Sequence, residues 1–264
     1  MSLSAAKTRI GDALSRHDAL AIAVSGGVDS MLLTHLAHQA GLGEVLAVHA
    51  VSPAVPEEAT RRVQRHARAH GWTLRLLDAG ELDDPNYVAN PVDRCFFCKT
   101  NLYSRIRAAT ALPIASGTNA DDLGDYRPGL NAARDHGVVH PFVEADIDKA
   151  AIYALAADLG LDDLEALPAQ PCLASRIETG IAVDARTLRF IERTEIALRD
   201  LLPGTSALRC RVTAAGIVAE VSPMPDAGAV DEAKRFAESL CADAGRVFAG
   251  LRPYRKGSAF LIEQ

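Results

Sequence analysis

The 264 residues suggest one or two domains, and 48% apolar with 23% charged residues is the make-up of an ordinary globular protein. A formal net charge of -6 argues against a protein that tracks nucleic acid, which needs a basic surface to neutralise phosphates. The first residues, MSLSAAKTRIGDALSRHD, carry no apolar core of signal-peptide length, and no run reaches the roughly 20 apolar residues of a spanning helix, so a cytoplasmic chain that avoids membranes is expected. Five cysteines are an odd count; in a reducing compartment they read as core, catalytic or metal-binding thiols.

In chain order, the apolar run Ala19–Val24 stops at a glycine pair and is followed by MLLTHLAHQAG, which predicts strand, tight turn and helix ending near Gly41. Glu44–Val51 is a second buried strand, Pro56–His70 an Arg- and Ala-rich helix ending at Gly71, and Trp72–Leu77 a third strand. After a loop with Pro85, Asn90 and Pro91 comes a helix from about Cys95 to Ala109, then a fourth strand over Pro113–Gly117. Thr118–Arg134 reads as a polar loop, Gly137–Phe142 as a fifth strand and Asp148–Gly160 as a helix. Leu161–Arg176, with Pro168 and Pro171 and little periodicity, reads as a linker. Beyond it are a helix (Asp184–Leu202), a strand or hairpin (Leu208–Val221), a helix (Ala229–Ala244) and a final pair of strands (Arg246–Leu251, Ser258–Ile262).

Strands alternating with helices predict an α/β fold with a parallel, doubly wound sheet over residues 1–165, and the rest a smaller α+β domain over 177–264. Ligands of such sheets sit at the carboxyl ends of the strands, where Ser25 and Gly117 fall.

Ser25-Gly26-Gly27-Val28-Asp29-Ser30 lies between the first strand and its helix. Glycines let backbone amides turn toward an anion, the following helix adds its N-terminal dipole, and the hydroxyls of Ser25 and Ser30 are further donors. Asp29 would repel bare phosphate, so it implies Mg²⁺ or a role in holding the loop. A Walker loop would need Gly-Lys-Ser/Thr, which is absent here. The hexapeptide resembles the PP-loop of the adenine nucleotide alpha-hydrolase group, and that resemblance implies ATP cleavage between the α and β phosphates and transfer of AMP to an acceptor oxygen. Gly117-Thr118-Asn119-Ala120-Asp121-Asp122 follows another strand, and carboxylates such as Asp122 are suited to Mg²⁺.

Cys95 and Cys98 stand at i and i+3 of a helix, so their thiols share a face; Cys172 stands in Pro171-Cys172-Leu173-Ala174-Ser175-Arg176. Three thiolates suit three irons of a [4Fe-4S] cluster, with zinc as the chemical rival. Cys210 and Cys241 sit in apolar settings and read as core residues. His35 and His38 read as a packed or exposed pair in preference to a metal site, and Arg61, Arg62, Arg65 and Arg68 as a solvated helix face.

Five ordered blocks, AVSGGVDSMLL, NPVDRCFFCKTNLY, SGTNADDLGDYRPG, PCLASRI and YRKGS, resemble the LarE-type ATP-dependent sulfur transferases of nickel-pincer nucleotide biosynthesis. The resemblance implies that the carboxylates of pyridinium-3,5-biscarboxylic acid mononucleotide are adenylated and converted to thiocarboxylates. Cys95, Cys98 and Cys172 match its three-cysteine type, which implies that a cluster delivers the sulfur; the donor that recharges it is not implied. A homo-oligomer, with a hexamer as one form, is implied as well. Glu195 matches a glutamate near the sulfur site and is expected among the metal ligands. Arg209 and Arg211, two apart on a strand, face one side and suit the substrate phosphate, with Ser175 and Arg176 as further candidates. The chain departs from the family at NAARDHGVVHPF, where His136 and His140 replace the usual acidic and small residues, and at SPAVPEEA. Rival readings are a tRNA thiolase, an amide-forming ligase such as NAD synthetase, and a non-enzymatic nucleotide sensor.

Overall fold

A computed structural model describes residues 2–124 and 127–260. The helices and strands, in order, are α1 (Leu3–Leu14), β1 (Ala19–Ala23), α2 (Val28–Gln39), β2 (Glu44–Ala50), α3 (Glu57–His70), β3 (Thr73–Leu77), α4 (Pro85–Val88), α5 (Arg94–Ala109), β4 (Ile114–Ser116) and α6 (Pro128–Asp135). They continue as α7 (Pro141–Glu144), α8 (Lys149–Asp158), α9 (Asp162–Glu165), α10 (Ala185–Leu201), β5 (Ala207–Thr213), β6 (Gly216–Ser222), α11 (Ala227–Asp243) and β7 (Phe248–Pro253). The chain divides into two units. The first comprises 1–81 and 95–170, the second 82–94 and 171–264.

In the first unit the strands form one all-parallel sheet in the order β3-β2-β1-β4. Successive strand residues point to opposite faces, which is why ALAIA is apolar throughout. Leu20 and Ile22 join one buried cluster with Met31, Leu32, Phe142 and Leu155, while Ala21 and Ala23 join another with Leu46, Val48, Tyr103 and Ile106. α1 is an element the sequence reading does not anticipate. Ser2 caps it by accepting from the Ala5 amide, and Ala6, Ile10, Ala13 and Leu14 recur at helical spacing to bury one stripe in the first cluster.

Two expectations are corrected and a third is refined. The fifth strand over Gly137–Phe142 reduces to a single parallel bridge at Val139, because Pro141 lacks an N–H and starts α7. The loop expected over Thr118–Arg134 contains a 3₁₀ turn at Ala120–Gly124 and α6, again opened by a proline; Asp125 and Tyr126 lie outside the described residues. The boundary between the units, at Gln170 and Pro171, falls inside the expected linker Leu161–Arg176, whose two ends are packed: Leu161, Leu164 and Leu167 belong to the first unit's core, and Leu173–Ile177 is buried.

The His35–His38 pair packs against His66, His70 and Trp72, with His35 and His70 edge to face at 4.7 Å between ring centres and His66 held by Asp163 at 2.9 Å. Burial first, then the neighbouring imidazoles, lower the pKa of His35 from 6.5 to about 4. The unfolded chain therefore takes up a proton that the folded one refuses. The stability linked to this group is complete above pH 6.5 and is lost progressively as pH falls toward 4. At about 1.4 kcal/mol per pKa unit, this amounts to about 2 kcal/mol by pH 5. Urea melts of the wild type followed by Trp72 fluorescence, which reports the first unit, should differ between pH 7.5 and 5 by at least that much, since His38, His49, His70 and His140 are lowered as well. His35→Gln should shrink the difference; a difference unchanged by the substitution would refute the assignment.

The second unit has a mixed sheet in the order β5-β6-β7, with β5 and β6 an antiparallel hairpin and β7 parallel to β6. α10 packs on β5 and α11 on β7 around Leu198, Leu208, Ala219, Val221, Ala233 and Ala237. Cys210 and Cys241 are fully buried in this unit, and burial pushes both thiols up, so they are core residues, as the apolar settings lead one to expect. Ser258–Phe260 forms no strand; the remainder of that expected strand lies outside the described residues. Residues 82–94 enter this unit through Asn90, a buried asparagine at φ 55°. Its side-chain amide donates to the carbonyls of Glu178 and Ile181 at 2.8 Å, and its own carbonyl accepts from Gly180.

Candidate nucleotide site and the buried arginines

The loop after β1 is built by close backbone approaches. Gly26 has φ +84°, and a Cβ there would lie 2.8 Å from the Ala59 carbonyl oxygen, so both the conformation and the space require glycine. Ser30 Oγ accepts from the Ser25 amide at 3.0 Å and meets Ser25 Oγ at 3.1 Å. Gly27 is the N-cap of α2 and supplies no side-chain cap to the amides of the first turn, while its own amide donates to Ser25 Oγ at 3.3 Å. Such a helix end suits an anion.

The end of β4 closes over this loop. A Cβ on Gly117 would stand 2.6 Å from the Ser30 nitrogen and 2.8 Å from the Asp29 carbonyl carbon. Asn119 Nδ2 donates to Asp29 Oδ1 at 3.1 Å, and Asp122 accepts from the Asn119 amide. Burial, together with the Asp29 charge, raises the Asp122 pKa despite Arg127 at 2.7 Å. Two carboxylates that feel each other in this way are hard oxygen donors of the type Mg²⁺ takes.

Three residues join the site that sequence reasoning missed. Lys149 is the first residue of α8, and its ammonium lies 2.7 Å from both oxygens of Asp29. Arg62 is not on a solvated face: it is buried and donates to the Gly26 carbonyl at 2.8 Å, whereas Arg61 and Arg65 are exposed and paired with Glu57 and Glu58. His49, fully buried in β2, bridges the Val24 carbonyl at 2.7 Å and Thr60 Oγ1 at 2.9 Å, tying the end of β1 to α3. Arg62 and His49 carry a weak advance signal, a polar residue on an otherwise apolar helix face or strand; Lys149 carries none. His140, one of the departures from the family pattern, holds Ser116 Oγ at 2.9 Å at the end of β4.

In the first unit Cys95 and Cys98 stand one turn apart on α5, half-exposed; Cys172, also half-exposed, belongs to the second unit. Among the described residues, no group of three or more His, Cys, Asp or Glu side chains is gathered as a metal site. No helix among them is long and apolar enough to cross a membrane.

The second unit buries two arginine–glutamate pairs. Arg176 binds both oxygens of Glu195, at 2.9 and 3.0 Å, and donates to the carbonyls of Pro171 and Cys172 and to Ser175 Oγ. Burial pulls the Arg176 guanidinium down, but the Glu195 carboxylate outweighs it and holds its pKa above the ordinary value. Glu195 Oε1 also accepts from the Cys210 amide at 3.0 Å, so both its oxygens are occupied. Arg211 pairs with Glu220 at 2.8 Å and donates to the Ser175 carbonyl at 2.9 Å; Arg252 and Ser258 complete the Glu220 shell. Arg209 and Arg211 both lie over the Tyr254 ring, which puts them on one face. Arg209 differs in having no ion pair among the described residues, and burial with the nearby Arg176 charge lowers its pKa. The Glu195 carboxylate partly offsets this, and an added anion would offset the rest.

No protein-family model matches the chain. The uncharacterized protein slr1717 of Synechocystis is 38% identical over 198 residues, 74% of this chain and 73% of the relative. The uncharacterized protein MJ0830 of Methanocaldococcus jannaschii is 27% identical, covering 71% of this chain and 72% of that one. A pyridinium-3,5-bisthiocarboxylic acid mononucleotide synthase of Lactiplantibacillus plantarum is 28% identical, covering 76% and 74%.

Proposed function

We propose, on the premise that this chain belongs to the family of the Synechocystis protein slr1717 and is similar along three quarters of its length to a named thiocarboxylate-forming synthase, that it is an ATP-dependent sulfur transferase of nickel-pincer nucleotide biosynthesis. The observation that carries the reading is the loop at the end of β1, where Gly26, Ser25, Ser30 and the uncapped first turn of α2 form an anion cradle beside Asp29 and Asp122.

A carboxylate is a poor acyl donor because its charge repels nucleophiles and oxide is a bad leaving group. In the proposed reaction a substrate carboxylate oxygen attacks the α-phosphorus of ATP, the bond to the β-phosphate bridging oxygen breaks, and pyrophosphate departs. Sulfide then attacks the acyl carbon and the bond to AMP breaks, giving a thiocarboxylate and AMP. The amides of the loop and the hydroxyls of Ser25 and Ser30 take phosphate charge, and Gly117 lets β4 come close enough to fix the loop. Asp29 and Asp122 are the residues that would hold Mg²⁺, whose charge would offset that of the phosphates. Cys95, Cys98 and Cys172 are assigned to a [4Fe-4S] cluster, which when bound supplies the sulfur. Arg209 anchors the phosphate of the mononucleotide, with Ser175, Arg176 and Arg211 framing it. Glu195, held by Arg176 on both oxygens and by the Cys210 amide on Oε1, would have to share Oε2 with Arg176 to join the metal ligands.

Incubating the anaerobically purified protein with MgATP and pyridinium-3,5-biscarboxylic acid mononucleotide should yield AMP, pyrophosphate and a thiocarboxylate by mass spectrometry, and Asp29→Ala should yield none. ADP and orthophosphate would overturn the PP-loop assignment. Iron and acid-labile sulfide should co-purify with the protein and be lost on Cys95→Ala, Cys98→Ala or Cys172→Ala. Conversion of Cys172 to dehydroalanine in step with product would place the sulfur source in the side chain and remove the cluster.

A further inference from the structure

Lys149 occupies an electrostatically awkward place. It is the first residue of α8, where the positive end of the helix dipole disfavours a cation. Two acidic side chains offset this: Asp29, with both oxygens 2.7 Å from the ammonium, and Asp121, which accepts from the Lys149 amide at 2.9 Å. The Tyr153 ring lies 5.2 Å from the ammonium on its own helix. Asp29 is just as constrained. It stands in the first turn of α2, beside amides that suit phosphate, and its remaining hydrogen bond comes from Asn119. The pair is only partly buried, with the two side chains about 30% exposed, so an incoming ion can reach it.

We infer that Lys149 is a displaceable counter-ion: with no nucleotide bound it fills the cation position on Asp29, and when ATP arrives with its divalent metal the metal takes the carboxylate while the released ammonium pairs with the pyrophosphate oxygens. The inference rests on the ATP-cleaving reading of this site. The exchange keeps Asp29 paired with a cation throughout, the extra positive charge of the divalent metal is met by the phosphates that arrive with it, and the freed ammonium meets the same anion. It also keeps the loop neutralised between turnovers, so Asp29 never faces Ser25–Ser30 and the phosphates as a bare negative charge. Lys149 acts here as a positioning residue for the metal and as a direct ligand of the leaving group.

The test uses Mn²⁺ alone, followed by electron paramagnetic resonance, on the full-length nucleotide-free protein. Wild type should bind Mn²⁺ weakly. Lys149→Gln removes the competing cation and should bind it about fivefold more tightly, the value of a part-exposed ion pair. Lys149→Arg keeps the charge and should stay near wild type. Inorganic pyrophosphate should bind the wild type in the presence of Mn²⁺ and lose at least that factor in Lys149→Gln. Equal Mn²⁺ affinity in wild type and Lys149→Gln, with both proteins folded by circular dichroism, would overturn the inference. If Mn²⁺ tightens as expected but the wild type makes no AMP, the exchange stands and the ATP-cleaving reading is what fails.

Discussion

Gly117→Ala is expected to abolish ATP turnover. The added methyl would meet only backbone: the Ser30 nitrogen at 2.6 Å, the Asp29 carbonyl carbon at 2.8 Å and the Ser30 Cα at 2.8 Å. No side chain rotation can clear it, so either β4 retreats or the first turn of α2 shifts. Either movement displaces the two serine hydroxyls, the uncapped amides and Asp29 together, because all are fixed on that turn. A displacement near 1 Å at a positioned site costs about 100-fold in rate. Overpacking should lower stability by about 1–3 kcal/mol. Steady-state kcat/KM for AMP formation should therefore fall at least about 100-fold while the circular dichroism spectrum is retained. Gly11→Ala is the control. It lies in α1, where an added Cβ meets nothing within 4 Å, and its turnover should match wild type. Wild-type kinetics in Gly117→Ala would mean that the contact between β4 and α2 does not shape the nucleotide loop.

That contact also marks where the sequence stops being readable. The strand-turn-helix around Ser25–Ser30 was legible because its signals are local: a short apolar run, two glycines, then helical spacing. Gly117 was placed at a strand end for the same reason. Lys149 was not legible, because its partnership with Asp29 spans 120 residues and depends on how α8 follows α7. Arg62 was misread because four arginines on one helix look solvated, and only the position of Gly26 turns one of them inward. The expected fifth strand failed at Pro141, where an apolar run of the right length met a residue that starts helices more readily than it continues sheets. The linker Leu161–Arg176 does contain the boundary between the units, but its first part is packed: Leu161, Leu164 and Leu167 recur every third residue across the short helix α9, a repeat too brief to stand out as a period. In the second unit, the shared face of Arg209 and Arg211 followed from strand alternation alone, but their fates diverge: Glu220 takes Arg211, and Arg209 is left to the Tyr254 ring and the Leu208 carbonyl.

Glu195→Ala should destabilise the second unit by about 3–5 kcal/mol, the cost of stranding a buried charge whose partner is removed. Arg176 is only 4% exposed, and without Glu195 its Nε and Nη2 lose their acceptors while the Cys210 amide loses its own. Because the protein has two units, a single unfolding curve would not isolate the effect. The only tryptophan, Trp72, lies in the first unit, so its fluorescence transition in urea should be little changed. Amide hydrogen exchange in α10 and β5 should instead lose protection by about 150- to 5000-fold, the equivalent of that loss at about 1.4 kcal/mol per tenfold, through local or sub-global opening. The same substitution releases the hydrogen bonds by which Arg176 holds the carbonyls of Pro171 and Cys172, so exchange and alkylation at Cys172 should quicken with it. Arg199→Ala serves as the comparison: that side chain is about half exposed and 4.0 Å from Glu195, and its loss should cost under about 1 kcal/mol. Unchanged protection in Glu195→Ala would show that the backbone carbonyls and water satisfy Arg176 without the carboxylate, and that the Cys172 segment is held by packing of Leu173 and Ala174 alone.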